Sequence, residues 1–69
     1  MYRLEFENEY GKNRLVGKFE TVEEAKEAVA EDLNSKGVKP LLYRTWGNEN
    51  KMTIDYGSYV RFYHIIKEN

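Results

Sequence analysis

Hydrophobic and polar positions alternate with a period of two over Tyr2-Arg3-Leu4-Glu5-Phe6-Glu7, the pattern of a half-buried strand. A second such strand, Arg14 to Glu20, places Leu15, Gly17 and Phe19 on one side, and Tyr10-Gly11-Lys12-Asn13 between the two reads as a turn. Pairing across that loop sets Glu9 against Arg14, Glu5 against Lys18 and Arg3 against Glu20. The same register sets Leu4 against Phe19 and Phe6 against Gly17. Only Glu7–Val16 among the outward pairs lacks opposite charges, so the outer face of this hairpin is predicted to face water.

At Thr21 the period changes. Thr21-Val22-Glu23-Glu24 has the spacing of a capping box, in which the Thr hydroxyl accepts from the backbone N–H of Glu24. Val22, Ala25, Ala28, Val29 and Leu33 then recur every three or four residues, predicting one helix with a narrow apolar stripe. Lys36-Gly37 marks its end and Pro40 prevents it from resuming.

After Pro40 the period of two returns. Leu41 to Trp46 and Lys51 to Tyr56 flank the turn Gly47-Asn48-Glu49-Asn50, and a last strand runs to Ile66. The first pairing predicts Tyr43 opposite Ile54 and Leu41 opposite Tyr56, all inward. Outward it sets Trp46 against Lys51, Arg44 against Thr53 and Leu42 against Asp55. A loop at Gly57-Ser58-Tyr59 predicts Tyr56 against Val60, Ile54 against Phe62 and Met52 against His64. It also turns Asp55, Arg61, Thr53, Tyr63 and Ile65 outward. The expected architecture is therefore α+β, with element order β-β-α-β-β-β. A single domain over residues 1–69 would hold an antiparallel sheet whose core residues Leu4, Phe6, Phe19, Tyr43, Ile54 and Phe62 lie under the helix.

Length and composition narrow the function. Sixty-nine residues with 41% hydrophobic content fold as one small domain, and the absence of cysteine excludes disulfides and Cys-based zinc sites. No apolar run nears the roughly 20 residues of a membrane helix, and the N-terminus has no signal-peptide core, so no membrane partner and a cytoplasmic location are expected. Residues 1–36 carry nine acids against six bases, and residues 37–69 five bases against three acids, for a net charge of −1. That balance disfavours strong nonspecific nucleic-acid binding.

Catalytic, metal and cofactor sites are not expected. His64 is the only histidine, and the predicted register puts it on the opposite face from Asp55, which separates the nearby Asp55, Ser58 and His64. On that register His64 is a partly buried residue near Met52, bonded to a backbone carbonyl. Glu23, Glu27 and Glu31 align along the helix as a solvated ridge. With Glu20 and Glu24 they offer a secondary contact for a basic partner.

Six of the ten aromatic residues lie between Leu41 and Ile66. The predicted registers send Trp46 and Tyr63 outward beside Arg44 and Arg61, residue types enriched at interface hot spots. Leu42, Arg44, Trp46, Lys51, Arg61 and Tyr63 are thus the expected contact surface. A protein partner or self-association, as in a homodimer, is the leading expectation. The alternative is weak single-stranded nucleic-acid binding, with bases stacked on Trp46 and Tyr63.

Trp46, the run Thr53-Ile54-Asp55-Tyr56-Gly57-Ser58 and the strand Phe62-Tyr63-His64-Ile65-Ile66 resemble a group of short uncharacterised proteins from bacteriophages and prophages of Gram-positive bacteria. The resemblance implies a small, phage-derived accessory protein, and no activity.

Overall fold

Strand pairing in this chain joins its two ends. The computed structural model describes residues 1–68, so the last residue of the expected 1–69 domain lies outside it. Its elements are β1 (Tyr2–Glu7), β2 (Asn13–Phe19), α1 (Val22–Ser35), β3 (Arg44–Gly47), β4 (Lys51–Asp55) and β5 (Phe62–Lys67). They form one antiparallel five-stranded sheet in the order β2-β1-β5-β4-β3, with α1 on one face, which is the expected α+β fold. The central pairing of β1 with β5 runs from Tyr2 opposite Lys67 to Glu7 opposite Phe62. The chain therefore crosses from the β2 edge to the β3 edge by way of α1.

The helix begins where its chemistry requires. Thr21 has extended backbone geometry, and its hydroxyl accepts from Glu24 N–H at 3.1 Å, satisfying one of the unpaired donors of the first turn. The same hydroxyl donates to Glu24 Oε1, so the return contact of the box closes on the side chain of Thr21 instead of its backbone. Glu23 and Glu24 also favour the positive end of the helix dipole. At the other end, Val38 N–H donates to Leu33 C=O and Gly37 N–H to Asn34 C=O, a closure that folds Val38 back onto the core. Ala25, Val29 and Leu33 then pack on Leu4, Ile54, Tyr56, Tyr63 and Ile65.

All three hairpins differ in register from the sequence expectation. In the first, the turn starts earlier. Asn8 Oδ1 accepts from the N–H groups of Tyr10 and Lys12, and Asn8 N–H donates to Lys12 C=O. This side-chain-stabilised turn pulls Arg14 opposite Phe6 and Gly17 opposite Leu4, with a bulge between. Leu15 consequently faces outward opposite Glu5, and Arg3 faces Lys18 instead of Glu20.

The last hairpin is the consequential correction. Ile54 pairs with Tyr63, Thr53 with His64 and Met52 with Ile65, one residue out of step with the expected pairing. A slip of one residue exchanges the two faces of a strand. Tyr63 and Ile65 therefore enter the core while Phe62, His64 and Ile66 turn outward. Asp55 sets this offset: its Oδ1 accepts from Gly57 N–H and Tyr59 N–H, which lengthens the loop beyond the expected three residues. The buried Tyr63 hydroxyl also gains partners on α1 and its C-cap, donating to Asp32 Oδ2 and accepting from Lys36 Nζ at 3.3 Å.

In the middle hairpin Arg44 pairs with Asp55 and Trp46 with Thr53, two residues from the expected pairing. That shift keeps each strand's faces but shortens β3. Tyr43, expected in the core, lies before the strand and is exposed, and Leu41 is 84% exposed. None of the helices among the described residues is long and apolar enough to cross a membrane.

Candidate functional site

The sheet face opposite α1 has two halves of different chemistry. Over β1 and β2 it is mainly a set of polar pairs, with the exposed Leu15 among them. Arg3 Nε lies 2.6 Å from Glu5 Oε2 and its Nη1 3.1 Å from Glu68 Oε2, while Asn13 Nδ2 donates to Glu5 Oε1 at 2.9 Å. The Glu5 carboxyl is accordingly held below the usual range, chiefly by the Asn13 hydrogen bond, although desolvation opposes this.

Across the centre, His64 Nε2 donates to Glu7 Oε1 at 2.7 Å, leaving Nδ1 to share a hydrogen with the Thr53 hydroxyl at 3.0 Å. This replaces the expected position of His64 beside Met52, and it places His64 on the same face as Asp55. Thr, His and Glu are the residue types of a hydrolytic relay. Here, however, Thr53 and His64 are both buried, and Thr53 lies directly opposite Trp46. Asp55 and Ser58 do not join them. Asp55 Oδ2 is taken by Arg44 Nη2 at 2.7 Å, and Ser58 Oγ accepts from Arg61 N–H at 3.1 Å.

Towards β3 the face becomes aromatic. Trp46 is 49% exposed and meets the Phe62 ring edge-on, with centroids 6.0 Å apart. Arg44 lies between Asp55 and the exposed Tyr59, its guanidinium carbon 4.8 Å from the Tyr59 ring centroid. Asp55 is fully buried. Desolvation raises its pKa, but Arg44 and the two backbone N–H groups outweigh that effect and hold the carboxyl below its ordinary value.

The six sequence-derived site residues thus separate. Arg44 and Trp46 sit together on the outer face of β3, with the exposed Leu42 just ahead of them. Lys51 is exposed at the far end of β4, opposite Ile66. Arg61 lies in the β4–β5 loop with its Nε 2.5 Å from Glu9 Oε2. Tyr63 leaves the set: it is 0% exposed and faces α1, because of the one-residue offset of β5.

Phe62, Tyr59, Leu41 and Val60 were not in the sequence-derived set. Phe62 takes the outward role expected of Tyr63. Among the described residues, six of the nine exposed large hydrophobics fall in two segments: Leu41, Leu42, Tyr43 and Trp46 in one, Tyr59 and Val60 in the other. The segments touch, with Leu41 N–H donating to Tyr56 C=O at 3.2 Å. Between them lies a cleft of about 300 Å³, bordered by Val38, Leu41, Tyr56 and Val60.

The acidic helix residues Glu23, Glu24, Glu27 and Glu31 are exposed, and no group of acids and His able to hold a metal occurs among the described residues. Comparison with protein-family models, with curated proteins and with solved structures gives no match to this chain.

Proposed function

We propose that this chain is a non-enzymatic module that binds a protein partner through the surface around Arg44, Trp46, Tyr59 and Phe62. The observation that carries this reading is the convergence of exposed large apolar side chains at one edge of the sheet, while the rest of the same face carries mainly paired polar groups, with Leu15 the exposed apolar exception on β2. Half-exposed Trp, Tyr and Arg held in place by neighbours are the residue types on which interface energy concentrates. A binding role also suits the accessory protein that the phage-type resemblance implies.

Catalysis is the weaker reading because the titratable groups of this face already have structural partners: His64 with Glu7 and Thr53, Asp55 with Arg44. The nucleic-acid alternative would use Trp46 for stacking and Arg44 and Arg61 for phosphate. Both arginines are engaged by carboxylates, which reduces the charge available to a phosphate backbone.

Selection from a random-peptide display library tests the proposal. Enriched peptides should bind the wild type, lose at least tenfold in affinity to Trp46→Ala, and depend only weakly on salt. Binding of labelled oligothymidylate with a steep salt dependence would favour the nucleic-acid reading instead. Light scattering that finds a dimer dispersed by Trp46→Ala would make the surface a self-association site. Peptide binding unchanged in Trp46→Ala removes this surface as the site.

A further inference from the structure

We infer that the cleft between residues 38–41 and 56–61 receives one large apolar side chain from an extended partner segment whose flanking residues are acidic, an inference that rests on the protein-binding reading above. Val38, Leu41, Val60 and the ring of Tyr56 supply its apolar surface, and Lys39, Ser58 and Arg61 supply nearly as much polar surface. Leu41 and Val60 are exposed, so an incoming apolar group would remove their surfaces from water. The volume of about 300 Å³ lies at the small end of the range for ligand pockets, and the cleft is open to solvent.

The cleft is anchored by groups that belong to the fold. Tyr56 is buried and packs on Tyr63, with ring centroids 5.8 Å apart, so that wall is continuous with the core. Gly57 has φ +101°, and a Cβ there would stand 3.0 Å from the Cβ of Leu41, so glycine permits the close approach of the two segments. Asp55 holds the adjoining loop through the N–H groups of Gly57 and Tyr59.

The charges specify the flanks. Lys39 and Arg61 border the cleft. Arg61 is shared with Glu9, whereas Lys39 has no carboxylate within ion-pair distance among the described residues. Asp55, the nearest acid in sequence, is turned to Arg44. With Arg61 already paired to Glu9, Lys39 is the rim charge left over, and it favours carboxylates beside the inserted group.

Two other occupants fit less well. The exposed face of α1 would bring Glu23, Glu27 and Glu31 from a second copy, but it carries only Ala30 as an apolar residue and has nothing large to insert. A nucleic-acid base requires an exposed flat ring, and the exposed walls are Leu41 and Val60.

The test is a titration of isotope-labelled protein, followed by backbone amide NMR. One probe is a pool of blocked eight-residue peptides with a central Leu or Phe flanked by Asp and Glu; the other is the same pool flanked by Lys. The acidic pool should give saturable shifts at Val38, Leu41, Gly57, Ser58 and Val60, and the basic pool none. Lys39→Glu should weaken binding about fivefold, the size of one exposed ion pair. Val60→Asp should abolish it with the amide spectrum otherwise unchanged.

Equal response to both pools overturns the charge assignment. Shifts confined to Trp46 and Phe62 overturn the cleft while leaving the protein-binding module in place. Cleft shifts that grow with protein concentration alone assign the site to a second copy and overturn the inference. No shift from either pool also overturns it, whereas the module itself stands or falls on the library-selected peptides and Trp46→Ala.

Discussion

Replacing Tyr63 with Phe removes one hydroxyl and leaves the ring in place. In the fold that hydroxyl is inside, donating to Asp32 Oδ2 and accepting from Lys36 Nζ. Burial first, then the hydrogen bond to Asp32 and the Asp32 charge, push the pKa of the phenol well above its ordinary value. A hydrogen bond to a charged group contributes about 1.5–3 kcal/mol. Asp32 keeps Lys36 at 3.0 Å and Arg14 at 3.4 Å in the variant, so the low end applies, about 1.5 kcal/mol. For a domain of this size that lowers Tm by roughly 6–12 °C.

Acid should remove part of the difference. Burial raises the Asp32 pKa, but the Tyr63 and Lys36 hydrogen bonds and the Lys36 and Arg14 charges outweigh it, so the folded value lies below the ordinary aspartate value. A depressed folded pKa contributes stability that is present above the unfolded value and lost as pH falls through the folded one. The gap between wild type and Tyr63→Phe should therefore be full near neutral pH and narrow in that acid range.

Urea unfolding followed by circular dichroism at several pH values reads both effects. A change within about 0.5 kcal/mol is what an exposed Tyr63 would give, and it would refute the observed β4–β5 register. Alanine variants supply a second arm. Tyr63→Ala should cost about 3–5 kcal/mol and Phe62→Ala clearly less, because Phe62 is only half-buried on the outer face. The reverse ranking would restore the register expected from sequence.

Asp55→Ala should cost about 2 kcal/mol or more, since it strips the acceptor from Gly57 and Tyr59 N–H and leaves Arg44 without its partner. Asp55→Asn keeps an acceptor oxygen and should cost less. Because the Asp55 carboxyl is held below its ordinary value, its stabilisation is present above the unfolded aspartate value and lost as pH falls through the folded one, so Asp55→Asn should flatten the acid limb of a stability–pH curve. Gly47→Ala should destabilise by roughly 2 kcal/mol or more in thermal unfolding, because Gly47 has φ +112° and a Cβ would collide with the backbone oxygen of Lys51. Thr21→Ala should cost about 1 kcal/mol through loss of the N-cap, visible as a lower urea midpoint with an unchanged slope. An unchanged midpoint in either Gly47→Ala or Thr21→Ala would contradict the local geometry described.

The proposed binding surface was partly legible in the chain. Arg44 and Trp46 are two residues apart, so a shift of β3 by two residues returned them to the same outer face. Tyr63 was misplaced because Phe62 to Ile66 is apolar in both phases: Phe62 and Ile66 in one, Tyr63 and Ile65 in the other. Alternation cannot choose between them. Tyr59 and Val60 join the surface through the β4–β5 loop, whose length depends on the side chain of Asp55 and left no mark in the hydrophobic pattern.

By itself the sequence determined the elements and the fold class. The Thr21 cap, the Ala25–Val29–Leu33 stripe, Pro40 and the runs of period two act over a few residues, and such local preferences survive without knowledge of the rest of the chain. Only the tertiary structure decided which residues face which way. The pairing of β1 with β5 and the registers of the hairpins depend on distant side chains: Tyr63 reaches Asp32 and Lys36 on the helix, and His64 reaches Glu7 on the first strand. A strand that is apolar on both sides takes the phase whose polar atoms find partners, because a buried hydroxyl or imidazole without one is costly.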